Sequence, residues 1–496
     1  MIEHDELLVP GRTCWRIERA DRFALIVDAA DYFRHAKAAM LKAQHTIMLI
    51  GWDFDTRIKF EPDIHAMEGP NRLGDLLSWL PNDRPNLQIY MLKWDLGMVQ
   101  ALGRGMTPVF ILNWMTSKHL HLRLDGAHPA GAAHHQKIVV IDDALAFCGG
   151  IDMTVDRWDT REHLDENPLR IKPSGSSYGP WHDATTAIDG SAARAVGDLA
   201  RERWRLGTGQ RLEPAPEGSD PWPDNLPPTI ERVDVAIART LPGLEHRAEV
   251  REIEALYLAA IAQAKGTIYI ESQYLASRTL AEAMVHRLRE PDGPEIVIVL
   301  PESTEGWLEH KAMDGARSKL LNMLWRADLY KRLCVFHPVT ASGQPIYVHA
   351  KIMVIDDRLL RVGSSNLTNR SMGFDTECDL AIEATWGSLD EKRLREMILS
   401  IRRSLLCEHL HVDRDTFVAT LAEASGSIVQ TIEVLRGSGR TLKPFERTEI
   451  ADDDSALAEN DLLDPERRPE SLMARTLRGL SDLIKGIGIW QLPQRK

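Results

Sequence analysis

The sequence predicts a duplicated, bilobed α/β protein with pseudo-twofold symmetry, and three observations predict it. First, "HQKIVVIDDALAFCGGIDMT" from His135 and "HAKIMVIDDRLLRVGSSNLT" from His349 match without gaps at 10 of 20 positions, where unrelated segments share about one. Second, the blocks flanking the two copies recur in the same order. Third, residues 212–229 between the copies hold six prolines, too many for a helix or a central strand.

Taken in order, "DYFRHAKAAMLKAQHTIMLIGWDFD" reads as a helix feeding a strand, and "EIEALYLAAIAQAKGTIYIESQYLA" reads the same way ahead of the second copy. The run Ile138 to Ile141 is β-branched throughout and reads as a buried strand. Each motif is then followed by a hairpin that ends on glycine, "GGID" in one copy and "GSSN" in the other. Downstream, "DATTAID" at 183–189 and "ECDLAIE" at 377–383 share the pattern acid, three residues, Ala, Ile, acid. These repeats place an N-terminal lobe at 1–210, a proline-rich linker at 211–228, a C-terminal lobe at 229–413 and a tail at 414–496. The tail carries an acidic stretch expected to be solvated. Beyond it, Met473, Leu477, Leu480, Ile484 and Ile487 form an apolar stripe bordered by Arg475, Arg478 and Lys485. Such a stripe either lies in a bilayer interface or docks on the lobes.

Composition narrows the function. Over 496 residues the formal charge is −13, which argues against a generalist nucleic-acid binder, since that needs a basic footprint. Five scattered cysteines without a CxxC spacing point to a reducing compartment. The N-terminus has no apolar core segment of a signal peptide, and no run approaches the ~18 apolar residues of a membrane span. The expectation is a cytoplasmic protein, with peripheral contact at the inner membrane face through the tail as an option.

The chemistry sits in the repeated motif. His135 and Lys137 share one strand parity, as do His349 and Lys351, whereas Asp142 and Asp356 have the opposite parity and read as structural anchors. Val348 stands where His134 stands, so His135 is the counterpart of His349. Two lobes related by a pseudo-twofold axis bring two His and two Lys around one pocket, a set suited to a phosphodiester. Lysines stabilise the negative charge that develops on the non-bridging oxygens. One neutral imidazole attacks phosphorus and a protonated one supplies the leaving alcohol with a proton. Gly149, Gly150 and Gly363 allow tight turns and close backbone approach. Asn366 and the Ser364 hydroxyl can donate to phosphate oxygens, while Asp152, in the Asn366 position, cannot when ionised. The recurrent acids Asp183 and Glu377 suit acceptance of an Nδ1 proton from a motif histidine. The histidines of "KHLHLRLDGAHPAGAAHH" lack cysteines or a helical spacing that would make a zinc site, and His128 reads as a pocket-lining loop residue. No metal or cofactor is expected.

Two copies of HxKxxxxD, followed by Gly-Gly-Ile-Asp and by Gly-Ser-Ser-Asn, resemble the phospholipase D superfamily. "HHQKIVVID", Arg157-Trp158-Asp159, "PWHD" at 180–183, "IYIESQY" at 268–274 and "NRSMG" at 369–373 are similar to its phospholipase-type members, over roughly residues 20–410. The resemblance implies a duplicated α/β/α sandwich and a two-step reaction through a phosphohistidine. It also implies His135 as nucleophile, His349 as general acid and base, Lys137, Lys351 and Asn366 as phosphate clamps, and Asp183 and Glu377 as orienting acids. The implied substrate is a glycerophospholipid, with water or an alcohol as acceptor. A cardiolipin or phosphatidylserine synthase-type phosphatidyltransferase is the alternative; a nuclease or a non-catalytic phosphate-binding scaffold fits less well.

Overall fold

A computed structural model of the chain describes residues 6–95, 117–244, 247–304, 307–447 and 464. Its framework is a sheet of 16 strands among the described residues, and the strand order is a near-palindrome. At the centre, Arg16–Val27 pairs antiparallel with Ile230–Leu241, so the first long strand of each half meets its counterpart. From there the N-terminal half runs outward through Ala184–Asp189, Leu145–Gly149, Ile138–Ile141, Thr46–Gly51, Gln88–Trp94 and Leu120–Asp125. The C-terminal half runs outward through Glu377–Glu383, Leu359–Gly363, Ile352–Ile355, Thr267–Glu271, Glu295–Val299 and Leu333–Val339. Parallel pairings fall at matching places in both halves. The internal repeat in sequence is thus a repeat in topology.

Three apolar clusters show how the layers stack. Helix Ala29–Lys42 packs Phe33, Ala36 and Met40 onto the outer face of the first half. Helices Glu252–Gln263 and Arg278–Leu288 do the same on the second half. Between the halves lies a third cluster that draws on both and includes helices Gly190–Thr208 and Glu391–Leu410. The motif strands obey period-2 alternation: Ile138 and Val140 face the shared cluster while Val139 and Ile141 face outward. Ile352 and Val354 repeat this against Met353 and Ile355. Because each strand is buried on both faces, a one-residue slip would move both sets to the wrong layer.

Two expectations about organisation are revised. The proline-rich segment forms no regular element, but it is held down: Trp222 and Leu226 are buried, and the Trp222 indole donates to the Leu226 carbonyl at 2.9 Å. The C-terminal half also does not stop near 413. Residues 414–447 add helices Arg414–Glu423 and Ile428–Leu435 and a strand, Thr441–Pro444, that pairs with the Leu333–Val339 edge. A four-residue strand beside charged neighbours carries too little periodicity to be read from sequence. The acidic stretch and the Met473–Ile487 stripe lie outside the described residues. Among the described residues no helix is long and apolar enough to cross a membrane.

Asp142 and Asp356 show what the motif aspartate does. The Asp142 carboxylate accepts the backbone N–H groups of Gln44, His45 and Thr46 at 2.7–2.8 Å, and Asp356 accepts those of Lys265, Gly266 and Thr267 at 2.6–2.9 Å. Each aspartate ties the end of its motif strand to the start of the neighbouring one, and each adopts a left-handed backbone, at φ 52° and 54°. Asp142→Ala leaves three donors without that acceptor. The expected result is a loss of about 2–4 kcal/mol in unfolding free energy with little change in turnover per folded molecule, measured by urea titration alongside an active-site count.

Candidate active site

The two motif histidines enter the cleft just ahead of their strands, on segments that pair with the opposite half. His134 bridges Thr376 in parallel, and Tyr347–Val348 pairs in parallel with Trp181–His182. The His135 N–H donates to the Thr376 carbonyl at 3.0 Å, and the His349 N–H donates to the His182 carbonyl at 2.7 Å. Each histidine therefore sits beside the acid of the other lobe. His135 Nδ1 lies 2.9 and 3.0 Å from the two Glu377 carboxylate oxygens, and His349 Nδ1 lies 2.7 Å from Asp183 Oδ2. An acceptor at Nδ1 fixes the neutral ring with its proton there and leaves the Nε2 lone pair free.

The acids are themselves held. Glu377 accepts the Ser364 hydroxyl at 2.5 Å and the Ser371 hydroxyl at 2.7 Å. Asp183 accepts the Ala184 N–H at 2.8 Å. The glycines account for the close approach: a side chain on Gly150 would run into the Asp183 carboxylate and crowd Lys351. Gly149 and Gly363 pack against the backbones of Thr185 and Asp379, where a Cβ has no room. Ser364 thus meets an orienting acid directly.

The halves differ at the lysines. Lys137 Nζ pairs with Asp152 Oδ2 at 3.0 Å, with both side chains at most 3 % exposed. Lys351 Nζ instead lies 3.4 Å from Gln273 Oε1 and 3.1 Å from His349 Nδ1. Burial, against the attraction of Asp183, pushes the Lys351 ammonium down to about 7. Asn366 is 4 % exposed, and its Oδ1 has no hydrogen-bond partner.

Electrostatics place both imidazoles in one field. Burial first, then Lys137 and Lys351, hold His135 well below its ordinary 6.5. Burial, Lys351, Arg157, Lys137 and His135 itself do the same to His349. Glu377 is driven up to about 8 by burial, against the Ser364 and Ser371 hydroxyls. Protonation is thus disfavoured at both rings in the empty cleft. The cause is that burial and lysines act on both halves alike. His135 is the more open ring, 17 % exposed against 6 % for His349.

Two family profiles match the chain. One, described as phospholipase D, covers residues 115–215, and one described as cardiolipin synthase, PLD-like domain, covers 257–396. Phospholipase D A of Dictyostelium discoideum is 24% identical over 72% of this chain and 32% of its own length. Phospholipase D alpha 1 of Vigna unguiculata is 24% identical over 76% and 64%, and phospholipase D1 of Schizosaccharomyces pombe 24% over 82% and 37%. The chain belongs to the phospholipase D superfamily. It spans about one third to two thirds of the length of these curated relatives. The crystal structure of phosphatidylserine synthase from Haemophilus influenzae, 12% identical, has the same fold at a TM-score of 0.52, over 77% of this chain and 86% of that one.

Several residues at the superfamily site carried no assigned role in the sequence. Trp181 stacks on Tyr347 at 4.5 Å between ring centroids and lies 5.3 Å from His349, and the Arg157 guanidinium sits 4.1 Å over the Trp181 ring. Arg157, Trp181 and Gln273 fall inside stretches that carry the resemblance, which was the available signal; Tyr347 had none beyond proximity to a motif. His128 is bound at its Nε2 by Asp95 at 3.0 Å and by the Trp94 indole at 3.2 Å. A pocket of about 550 Å³ opens between Arg57, Lys59, Arg72, Trp158, Lys172 and Tyr178. No motif histidine or lysine lines it.

Proposed function

We propose that this protein cleaves the phosphodiester of glycerophospholipids through a covalent phosphohistidine. The observation that carries the reading is the crossed arrangement of two His–acid pairs with two lysines around one cleft. His135 Nε2 attacks phosphorus, the P–N bond forms, and the P–O bond to the headgroup alcohol breaks. His349 gives that alcohol its proton. The substrate's negative charge offsets Lys137 and Lys351 and restores the proton to His349 before cleavage. In the second step His349 takes a proton from water or an alcohol, whose oxygen attacks phosphorus while the P–N bond breaks and His135 is released. Water gives hydrolysis and an alcohol gives phosphatidyl transfer. The profile match to a cardiolipin synthase domain favours the second reading, transfer in the cell, through the same site. Lys137, Lys351 and Asn366 clamp the phosphoryl oxygens, and Asp183 and Glu377 orient the rings; Ser364, expected from sequence to donate to phosphate, instead gives its hydroxyl proton to Glu377 and supports that acid.

Incubation with phosphatidylcholine, with and without ethanol, and separately with DNA, tests the reading. Choline release, joined by phosphatidylethanol when ethanol is present, is expected. Cleavage of DNA with no turnover of any phospholipid would contradict it.

The pH dependence carries its own sign. Protonating His135 removes the nucleophile, so the rate falls as pH falls through that ring's pKa, which lies well below 6.5 in the free protein. The acid limb of kcat/KM is expected below pH 6.5 and would be read from initial rates across pH 4–8.

A further inference from the structure

A second group of chemistry-bearing side chains lies behind the cleft, and the proposed reaction uses none of them. Asp28 leads into helix Ala29–Lys42, His163 comes from the loop after the first motif hairpin, His182 precedes Asp183, and Glu408 sits on helix Glu391–Leu410. All four side chains are 4 % exposed or less, and their inward atoms lie within 4.8 Å of one another.

The two imidazoles are oriented from outside. His163 Nδ1 lies 2.9 Å from Asp159 Oδ2, and His182 Nε2 lies 2.8 Å from Glu271 Oε2, ordinary hydrogen bonds to buried carboxylates. With the ring proton donated outward in each case, the nitrogen facing the cluster presents a lone pair. What it faces is carboxylate oxygen. His163 Nε2 is 3.5 Å from Asp28 Oδ2 and 3.2 Å from Glu408 Oε1, and His182 Nδ1 is 3.4 Å from Asp28 Oδ1 and 3.1 Å from Glu408 Oε1. Acceptor against acceptor in a dry interior is repulsive unless positive charge stands between them. His182 Nδ1 and Asp28 Oδ2 have no hydrogen-bond partner although both are fully buried.

The separations match a coordinated ion. Metal–ligand distances of about 2.0–2.2 Å put the edges of a tetrahedron at about 3.3–3.6 Å; His163 Nε2 to Asp28 Oδ2, at 3.5 Å, and Glu408 Oε1 to the two ring nitrogens, at 3.2 and 3.1 Å, are close to such edges, and Asp28 Oδ2 is the oxygen left without a hydrogen bond. A carboxylate on the far nitrogen of each histidine is the usual outer support of a metal-bound imidazole. The backbone adds a further sign: Asp28 and His163 sit at φ 68° and 40°, strained values for residues other than glycine.

We propose that Asp28, His163, His182 and Glu408 form a closed, structural site for one divalent transition ion of the zinc class. Two imidazoles and two carboxylates disfavour calcium and magnesium, which take oxygen ligands. The site ties helix Ala29–Lys42 and helix Glu391–Leu410 to the strand that presents Asp183, whose N–H donates to Asp28 Oδ1 at 3.0 Å. Its occupant sits outside the reaction and stiffens the support of the acid that orients His349.

The test uses the full chain, freed of any affinity tag, stripped with chelator, dialysed against zinc and desalted. Atomic emission is expected to find about one zinc per chain. Cobalt(II) added to stripped protein is expected to give the strong visible bands of a tetrahedral ion at the same stoichiometry. Asp28→Asn and His163→Gln each lower metal content about tenfold, while His119→Gln, outside the cluster, leaves it unchanged. Ligand variants can fail to fold, so the native protein decides. If it is folded by circular dichroism yet retains less than about 0.1 ion per chain and shows no cobalt bands, the cluster holds two protons in place of a metal and the proposal is overturned.

Discussion

His135→Ala is expected to lower phospholipid turnover by roughly 10⁴–10⁶ and to abolish any labelled phosphoenzyme. The imidazole that forms the P–N bond has no substitute in the cleft, because His349 is directed by Asp183 from the opposite half and lies 6 % exposed. His349→Ala is expected to cost a similar factor with ordinary substrates, since headgroup departure then lacks a proton donor. It differs in one respect: a substrate with a good leaving group still reacts with His135, and the phosphoenzyme accumulates because its hydrolysis lacks a base. Quench of ³²P-labelled lipid reactions in alkaline detergent, which preserves the P–N bond, followed by gel autoradiography at alkaline pH separates the two. Label persisting in the His135→Ala protein would exchange the two roles.

Lys351→Met is expected to reduce kcat by roughly 10²–10³ with a smaller effect on KM. Among the described residues Lys351 has no carboxylate in ion-pair distance, whereas Lys137 is paired with Asp152 at 3.0 Å, so Lys351 supplies the less compensated charge to the phosphoryl oxygens. Lys137→Met loses activity as well, and it also strands Asp152 as a buried unpaired acid, so a loss of stability accompanies it. The contrast is read from steady-state kinetics and thermal melts of both variants. Equal melting temperatures with equal kinetic losses would contradict the asymmetry.

The parts of this architecture that sequence conveys are those repeated within it. The duplication, the parity of His135 and Lys137 against Asp142, and the buried motif strands were all legible, because period-2 alternation and a gapless repeat need no knowledge of long-range pairing. The crossing of the acids was not. Alignment makes Asp183 equivalent to Glu377, but which histidine each meets depends on the parallel bridges at His134–Thr376 and Tyr347–Trp181, contacts across hundreds of residues. Thr441–Pro444 was missed for the same reason, since its strand character comes from the Leu333–Val339 edge it covers. Nothing in the sequence joins His163 and His182 to Asp28 and Glu408; folding brings the four together from distant parts of the chain. Asp152 in place of Asn366 was visible as a chemical difference, and only its contact with Lys137 turned that difference into an unequal distribution of charge.

The most direct measurement is a crystal structure of the protein grown with tungstate, a stand-in for the phosphoryl group. One oxyanion is expected in the cleft, with His135 Nε2 directed at tungsten, His349 Nε2 on the opposite side, and Lys137, Lys351 and Asn366 on the equatorial oxygens. Tungstate held by a single half, with the other histidine turned away from it, would contradict the account.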